Sequence, residues 1–288
     1  MTDIFFTSVE LGLLYSLVVL GVFLTFRILN FTDLTVDGSF VTGAAATAIV
    51  MQAGIPGVAA ILIGFMAGFI AGSLTAFLHI CLGIEKILAG ILSLSMLYSI
   101  NLRLMAGPNL SLLNEGNIIS YLKTPTNPIH TIIFLLIIIL AVKFFMDWFL
   151  QTEFGLQLRA TGGNESTAQS FAINTNTRKF FGIGLSNGLI GVAGGLIAQY
   201  QGFADVNMGI GTIILGLAAL LLGEVLMLNK KIGEITTAVI IGAILYQLII
   251  NFALYLGLAG TDLKFVTAFI VVIALVLGNS KKYLFYAK

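Results

Sequence analysis

The sequence predicts an all-α fold, a polytopic transmembrane helical bundle with about nine membrane segments, one of them broken or re-entrant. Of the 288 residues, 58% are hydrophobic and 9% are charged, whereas about 25% of the residues in a soluble domain are charged. Apolar runs of roughly 20 residues, the length of a membrane-crossing helix, recur along the chain. We therefore expect one transmembrane domain over residues 1–288, without a separate soluble domain.

The hydrophobic runs define the expected segments. In chain order they lie near residues 9–26, 36–51, 58–82, 86–105, 129–149, 179–200, 211–228, 232–256 and 263–278. An odd number of segments puts the two termini on opposite sides of the membrane. The first ten residues include Asp3 and Glu10 and no basic residue, so we expect the first segment to stay as a membrane helix and not to act as a signal peptide.

Composition and motifs exclude several classes of function. A net charge of +1 gives no overall attraction to nucleic acid. The single cysteine, Cys81, allows no internal disulfide, and His79 and His130 have no companions at metal-ligand spacing. The chain contains no GxxxxGK[ST] phosphate-binding loop and no grouping of nucleophile and base. We expect neither enzymatic activity nor a cofactor on this chain, so any energy source must be a separate chain.

The second segment begins with two carboxylates, Asp33 and Asp37. The segment is short and is interrupted by Gly38, Thr42 and Gly43, which favours a broken or re-entrant helix inside the bundle. A carboxylate is stabilised at a helix N-terminus and is costly in lipid. We interpret the two carboxylates as caps of a helix that opens at Gly38-Ser39, with lining of a solute path as the alternative.

The longest polar stretch is 153–179, and it must lie outside the hydrocarbon. Gly162-Gly163-Asn164 can turn the chain, and Asn164 can cap a helix whose N-terminal dipole favours Glu165. Ala168, Phe171 and Ala172 then have the i, i+3, i+4 spacing of one helix face. This predicts a short amphipathic helix on a two-glycine hinge, which needs a surface on which to dock.

Two motifs resemble those of a known family. The first comprises Gly155, Gly163-Asn164-Glu165, Ala168, Ile173-Asn174 and, further on, Gly191-Val192-Ala193-Gly194-Gly195. It resembles the cytoplasmic loop of ABC-importer permeases of the branched-chain amino-acid and ribose type. The second, Asp33-Leu34-Thr35-Val36 with Gly38-Ser39, is similar to the Asp-Leu-Ser-Val-Gly signature of that family. Ser166 and Ala172 stand where the family usually has Ala and Gly, and Asp37 is inserted before the glycine of the second motif.

The resemblance implies a permease domain whose loop at about 153–179 carries a coupling helix that docks on an ATPase subunit. The coupling residues implied are Gly163, Asn164, Glu165, Ala168, Phe171, Ala172 and Ile173. It further implies two permease copies, here preferred as a homodimer, two ATPases that hold the ATP, and an extracytoplasmic substrate-binding protein, in a bacterial plasma membrane. The expected cargo is an amino acid, aromatic amino acids included.

The basic residues predict the orientation. If 153–179 is cytoplasmic, all but Arg103, Lys123 and Lys264 of the 14 Lys and Arg residues lie on the cytoplasmic side. The bias predicts an outside N-terminus and a cytoplasmic C-terminus. We interpret the inner loop 228–234 and the tail 281–286 as segments whose charged and aromatic residues hold the chain in this orientation at the membrane surface.

Outside the membrane on the other side, residues 106–127 form the longest predicted loop, with the polar cluster Asn114–Asn117. We interpret this loop as a docking surface for a binding protein, with a lid or spacer nearly as well supported. Residues 199–205 are a second outward element that can join it. Glycine stripes in the third and sixth segments predict close helix packing, either within the chain or with a second copy; they are Gly64, Gly68, Gly72, Gly184, Gly188, Gly191 and Gly195.

Polar residues inside the segments mark the candidate translocation pathway. The pathway candidates are Asn30, Asp33, Asp37, Ser95, Ser99, Asn101, Gln247 and Asn251. Each of them can instead bond a neighbouring helix, and Glu224 can pair with Lys230 or Lys231. The alternative function is an ion-coupled secondary transporter working alone, with Asp33, Asp37 or Glu224 as its coupling site. A non-transporting membrane scaffold is the third possibility.

Overall fold

The computed structural model describes residues 2–112, 128–226, 232–263, 265–272 and 276. Three predicted features lie outside these residues: the polar cluster 114–117, most of the inner loop 228–234, and the tail 281–286. The ninth predicted segment, 263–278, is described only in part.

Helices form almost all of the described chain. Their bounds are α1 Thr2–Val22, which continues as a π-helix over Phe23–Ile28, α2 Val36–Gln52, α3 Gly57–Ile80, α4 Lys86–Leu104, α5 Pro128–Phe149, α6 Glu153–Gly163, α7 Glu165–Ser170, α8 Thr175–Gln201, α9 Thr212–Leu226 and α10 Ile232–Tyr255. A 3₁₀ turn at Gly260–Asp262 follows, and residues 265–272 are helical. Two short strands, β1 Asn109–Ser111 and β2 Phe203–Asp205, complete the described elements.

Six helices of the described chain are long and apolar enough to cross a membrane: α1 with its π-helical extension, α3, α4, α5, α8 and α10. The fold is therefore an all-α membrane bundle, as predicted. Helix α9 is shorter, and α2 has 17 residues. Both follow stretches of non-helical backbone.

The bundle is built around α1 and α8. In the most apolar stretch of each, 78% of the residues are buried, against 22% in α5 and 28% in α4. Apolar side chains of α4 and α5 therefore face outward, where a bilayer would cover them. The central position of α8 matters for function, because its first turn adjoins the polar interval that follows α5.

The glycine stripes of α3 and α8 face each other within one chain. A Cβ atom added at Gly68 would lie 2.3 Å from the carbonyl oxygen of Asn187, and one added at Gly43 of α2 would lie 2.2 Å from that of Gly191. Only glycine allows the backbones to approach this closely, and such contacts replace the hydrophobic drive that is absent between helices in lipid. The sequence left open whether the glycine stripes pack within the chain or with a second copy. In the structure they pack within one chain.

The two outward elements predicted from the sequence are joined. Strands β1 and β2 pair antiparallel, with Asn109 opposite Asp205 and Ser111 opposite Phe203. The amide of Leu112 extends this ladder by donating to the carbonyl of Gly202 over 2.8 Å. This end of the bundle is called the β end below.

Basic residues concentrate at the opposite end, called the α7 end because it carries α6 and α7. There Arg27, at the end of the π-helix, forms a two-pronged ion pair with Glu224 of α9. Lys230 and Lys231, the partners predicted for Glu224 from the sequence, lie outside the described residues. Lys143 pairs with Asp147 over 2.7 Å at the same end.

Candidate coupling helix and central cavity

Helix α6 packs against the end of the π-helix. A Cβ atom added at Gly162 would lie 1.9 Å from the carbonyl oxygen of Ile28, whereas one added at Gly163 would meet open space. Both glycines belong to the last turn of α6. The predicted two-glycine hinge is therefore wrong, because Gly162 serves close packing and the chain turns only at the next residue.

Asn164 separates α6 from α7. Its backbone is extended, with φ −156° and ψ 108°, and its side-chain oxygen accepts a hydrogen bond from the amide of Thr167 over 3.1 Å. This is N-cap geometry, and the predicted cap is confirmed. Glu165 follows in the first turn of α7, where the helix dipole favours its charge.

Glu165 ties α7 to the start of α8. Its carboxylate pairs with Lys179 at 2.5 Å and accepts a hydrogen bond from the hydroxyl of Thr175 at 3.2 Å. Gln169, one turn further along α7, donates to that same hydroxyl over 3.1 Å. The hydrogen bond from Lys179 holds the pKa of Glu165 below its ordinary value, and the nearby charge of Lys86 acts in the same direction. These contacts attach a six-residue helix that would be marginal alone.

The end of α7 differs from the sequence prediction. The helix stops at Ser170, the amide of Ile173 bonds back to the carbonyl of Ala168, and Ala172 has a left-handed φ of 57°. This reversal is a Schellman motif with alanine in the position that glycine usually takes. Ala168 is 2% exposed and Phe171 is 77% exposed, so the predicted shared apolar face is wrong. Helical spacing does not extend past the last helical residue.

Phe171 consequently projects from a polar surface at the α7 end. Ser166, Gln169 and Ser170 around it are exposed. Aromatic side chains are enriched among the residues that anchor protein–protein interfaces, and Phe171 is exposed enough to serve as such an anchor. Ile173, the last implied coupling residue, is half-buried beneath this turn.

The second motif is buried between α2, α3 and α8. One oxygen of Asp33 accepts from the amide of Thr35 over 2.9 Å, and the other accepts from the side-chain amide of Asn187 over 2.6 Å. The hydroxyls of Thr35 and Thr75 are 2.5 Å apart. Asp33 is 3% exposed. These bonds join the start of α2 to the two helices against which it packs, which is a structural role.

Asp37 caps a helix other than the one predicted. Although it lies in the first turn of α2, its carboxylate accepts hydrogen bonds from the amides of Gly211 and Ile213, at 2.9 and 2.8 Å, and from the hydroxyl of Thr212 at 2.8 Å. These donors form the N-terminus of α9. The sequence predicted that Asp37 caps a helix, but it predicted the wrong helix. The groups that donate to Asp37 are about 175 residues further along the chain.

This capping site is deep in the bundle. Along α9, Thr212 precedes Glu224 by twelve residues, which is about 18 Å at 1.5 Å per residue. Tyr15 of α1 precedes Arg27 of its π-helical extension by the same number of residues, and Tyr15 and Thr212 line one cavity. Since the Arg27–Glu224 pair is at the α7 end, Asp37 lies well within the roughly 30 Å thickness of a bilayer core.

The cavity beside Asp37 has a volume of about 620 Å³. Pathway candidates Asp37, Gln247 and Asn251 line it, together with Tyr15, Thr212 and Tyr246. Gln247 and Asn251 share one face of α10, as their spacing predicted. The two tyrosines and Thr212 were not predicted from the sequence, where their signal was a hydroxyl-bearing residue within an apolar run.

The remaining pathway candidates lie elsewhere. Asn101 is buried and lines a smaller cavity, of about 50 Å³, on the other side of Asp37. Ser95 and Ser99 are exposed on α4, and the Ser95 hydroxyl bonds the carbonyl of Ile91. Asn30 is at the α7 end, where its carbonyl accepts from Lys86. The structure thus brings three candidates to one cavity and separates the other five from it.

A multi-helix membrane bundle, with a cavity that combines apolar walls and a few polar groups, is the architecture of a membrane transport subunit. Residues 4–277 match the family model described as "Branched-chain amino acid transport system / permease component". The chain belongs to this family, as the motifs predicted. It is thus a multi-pass membrane permease component and not an enzyme, because the ATPase of such systems is a separate subunit.

Two curated relatives match this chain. The first, the tyrosine transport system permease protein of Clostridioides difficile (strain R20291), is 40% identical over 268 residues, which are 93% of this chain and 89% of the relative. An uncharacterised protein of Rickettsia prowazekii (strain Madrid E) is 34% identical over 192 residues, 65% of each chain. No solved structure matches.

Proposed function

We propose that this chain is the permease subunit of an ATP-driven importer for an aromatic amino acid, with tyrosine the first substrate to test. The observation that carries the proposal is the likeness to the tyrosine permease, which extends over 93% of this chain. The absence of a cation among the described residues that line the cavity suits a zwitterionic solute better than an anionic one.

In this proposal α7 is the coupling helix. Its exposed Phe171 enters a groove on the ATPase, and the contacts of Glu165 transmit the motion to α8, the buried centre of the bundle. ATP binds to the partner subunit and not to this chain. The coupling residues are those implied by the family motif: Gly163, Asn164, Glu165, Ala168, Phe171, Ala172 and Ile173.

We further propose nine membrane segments, in which α2 and α9 are the short ones that begin inside the bilayer, with a cytoplasmic α7 end. The ion pairs of Arg27, Lys143 and Lys179 at that end support this orientation through the positive-inside rule. The N-terminus is then outside, in a bacterial plasma membrane. Two copies of the chain form a homodimer, and a substrate-binding protein docks at the β end.

Reconstitution tests this function against its main alternative. Proteoliposomes that contain this chain with its ATPase and binding protein should take up L-tyrosine only when ATP is supplied. An ion-coupled transporter would instead take up solute with this chain alone and an ion gradient. A scaffold would move solute under neither condition. A thermal-shift screen of the binding protein against amino acids, sugars and nucleosides identifies the cargo independently.

A further inference from the structure

The cavity beside Asp37 has the properties of a ligand site and not those of a packing defect. Its volume of about 620 Å³ falls within the range of about 300–1,000 Å³ that is usual for small-molecule pockets. Its walls combine apolar side chains with a few polar groups, the composition that orients a ligand. The apolar walls come from α1, α9 and α10, and include Leu11, Ile214, Leu215, Ile250 and Leu254.

Among the described residues that line this cavity, none offers a cation to the carboxylate of Asp37. Its three hydrogen bonds come from the start of α9, and the described residues that line the cavity include no Lys, Arg or His. A carboxylate at this depth is costly unless it is paired. The helix dipole and the three donors stabilise it in part, and the ammonium group of a ligand would complete the compensation.

A second polar group in the cavity is left without a partner. Gln247 is 6% exposed, and its side-chain amide bonds no other described residue. The amide lines the cavity and is not among the fully buried atoms that lack a partner, so its hydrogen-bonding groups are available to an occupant of the cavity. The neighbouring Asn251 differs, because its amide donates to the hydroxyl of Ser8 over 2.9 Å.

From these observations we propose that the cavity is a binding site for the backbone of an amino acid within the permease itself. The ammonium group binds Asp37, and the amide of Gln247 donates to the carboxylate. The side chain lies against the apolar walls beside the rings of Tyr15 and Tyr246. This inference rests on the proposed amino-acid transport and adds that the membrane subunit contributes its own selection of the cargo.

Direct binding to the permease alone tests the site. The full chain, in nanodiscs without ATPase or binding protein, is titrated with radiolabelled L-tyrosine. Tyramine retains the ammonium group of tyrosine and lacks the carboxylate. 3-(4-Hydroxyphenyl)propionate retains the carboxylate and lacks the ammonium group. We expect L-tyrosine to bind, tyramine to displace it, and the propionate to displace it at least tenfold less well. These probes test the charge of Asp37 without a mutation that would disturb α9.

A matched pair of variants tests the amide. Gln247→Met keeps the length of the side chain and should weaken L-tyrosine binding about threefold to tenfold, since one hydrogen bond is lost. Gln52→Met makes the same change on an exposed residue at the β end and should leave the affinity unchanged.

Absence of L-tyrosine binding, equal displacement by both analogues, or an unchanged affinity of Gln247→Met would each overturn the site. ATP-driven uptake by the complete system, measured in parallel, separates this result from the proposed function. Uptake without binding to the isolated permease rejects only the site. Binding without ATP-driven uptake rejects the importer and leaves the site standing.

Discussion

Among the carboxylates at helix N-termini in this protein, Glu165 and Asp37 are held in opposite ways. Glu165 opens α7 at the bundle surface, where its charge is matched by Lys179 and its side chain is 42% exposed. Asp37 holds the start of α9 inside the bundle, where the described lining of the cavity offers it donors but no cation. The comparison indicates that Glu165 attaches a surface helix to the bundle, while Asp37 positions the start of α9 and leaves its charge available to the cavity.

The largest effect is expected from Asp37→Ala. Loss of the carboxylate leaves three donors at the start of α9 unpaired, which should lower the free energy of unfolding by about 2–3 kcal/mol. Thermal unfolding in detergent measures this loss. Asp37→Asn keeps one acceptor oxygen and should lose about half as much. A loss below about 0.5 kcal/mol for Asp37→Ala would show that the cap is unimportant.

Glu165→Gln should have a smaller effect, because its ion pair is partly exposed to solvent. We expect α7 to lose about 0.5–1 kcal/mol of local stability at neutral pH, measured by hydrogen exchange of its amides. The control is Glu153→Gln on α6, since Glu153 bonds Gln157 and not a lysine. Equal protection of the α7 amides in Glu165→Gln and in the wild type would show that the ion pair does not stabilise α7.

The pH dependence of that loss has a defined sign. The pKa of Glu165 is lowered in the folded protein, so its stabilisation is fully present above its ordinary pKa of 4.5 and is lost as the pH falls through the lowered value. The difference in α7 protection between wild type and Glu165→Gln should therefore be constant from neutral pH down to 4.5 and shrink below it. A difference that already shrinks near neutral pH would contradict the assignment.

The smallest effect, and the only stabilising one, is expected from Ala172→Gly. The left-handed φ of 57° strains alanine by up to about 1 kcal/mol, and glycine relieves that strain. Hydrogen exchange at the end of α7 should slow by a corresponding factor of a few. Ala168→Gly, which removes a buried methyl group within the helix, should have the opposite sign. Faster exchange in Ala172→Gly would mean that the turn is not strained.

The positions of most helices could be predicted from the sequence, because length and hydropathy determine them. The expected segment 58–82 became α3, Gly57–Ile80, and 232–256 became α10, Ile232–Tyr255. The cap at Asn164 could also be predicted, since its donor lies three residues away. Local interactions of this kind are readable from a single sequence.

What could not be predicted depends on distant partners. The donors that Asp37 accepts from are separated from it by about 175 residues, and Arg27 and Glu224 by 197. The exposure of Phe171 depends on where α7 ends, and boundaries are less certain than the existence of a helix. The lining of the cavity depends both on local spacing and on contacts between distant residues. Gln247 and Asn251 were therefore predicted, from their spacing on one helix, whereas Tyr15 and Thr212 were not.

The central claim is that force from a separate ATPase enters the bundle through α7. The most direct test compares Phe171→Ala with Phe144→Ala, because Phe144 is also exposed, at 63%, but lies on the membrane helix α5. The measurement is L-tyrosine taken up per ATP hydrolysed by the reconstituted system. We expect roughly a tenfold fall in this ratio for Phe171→Ala, the size of a strong interface contact, and no change for Phe144→Ala. An unchanged ratio for Phe171→Ala would contradict it.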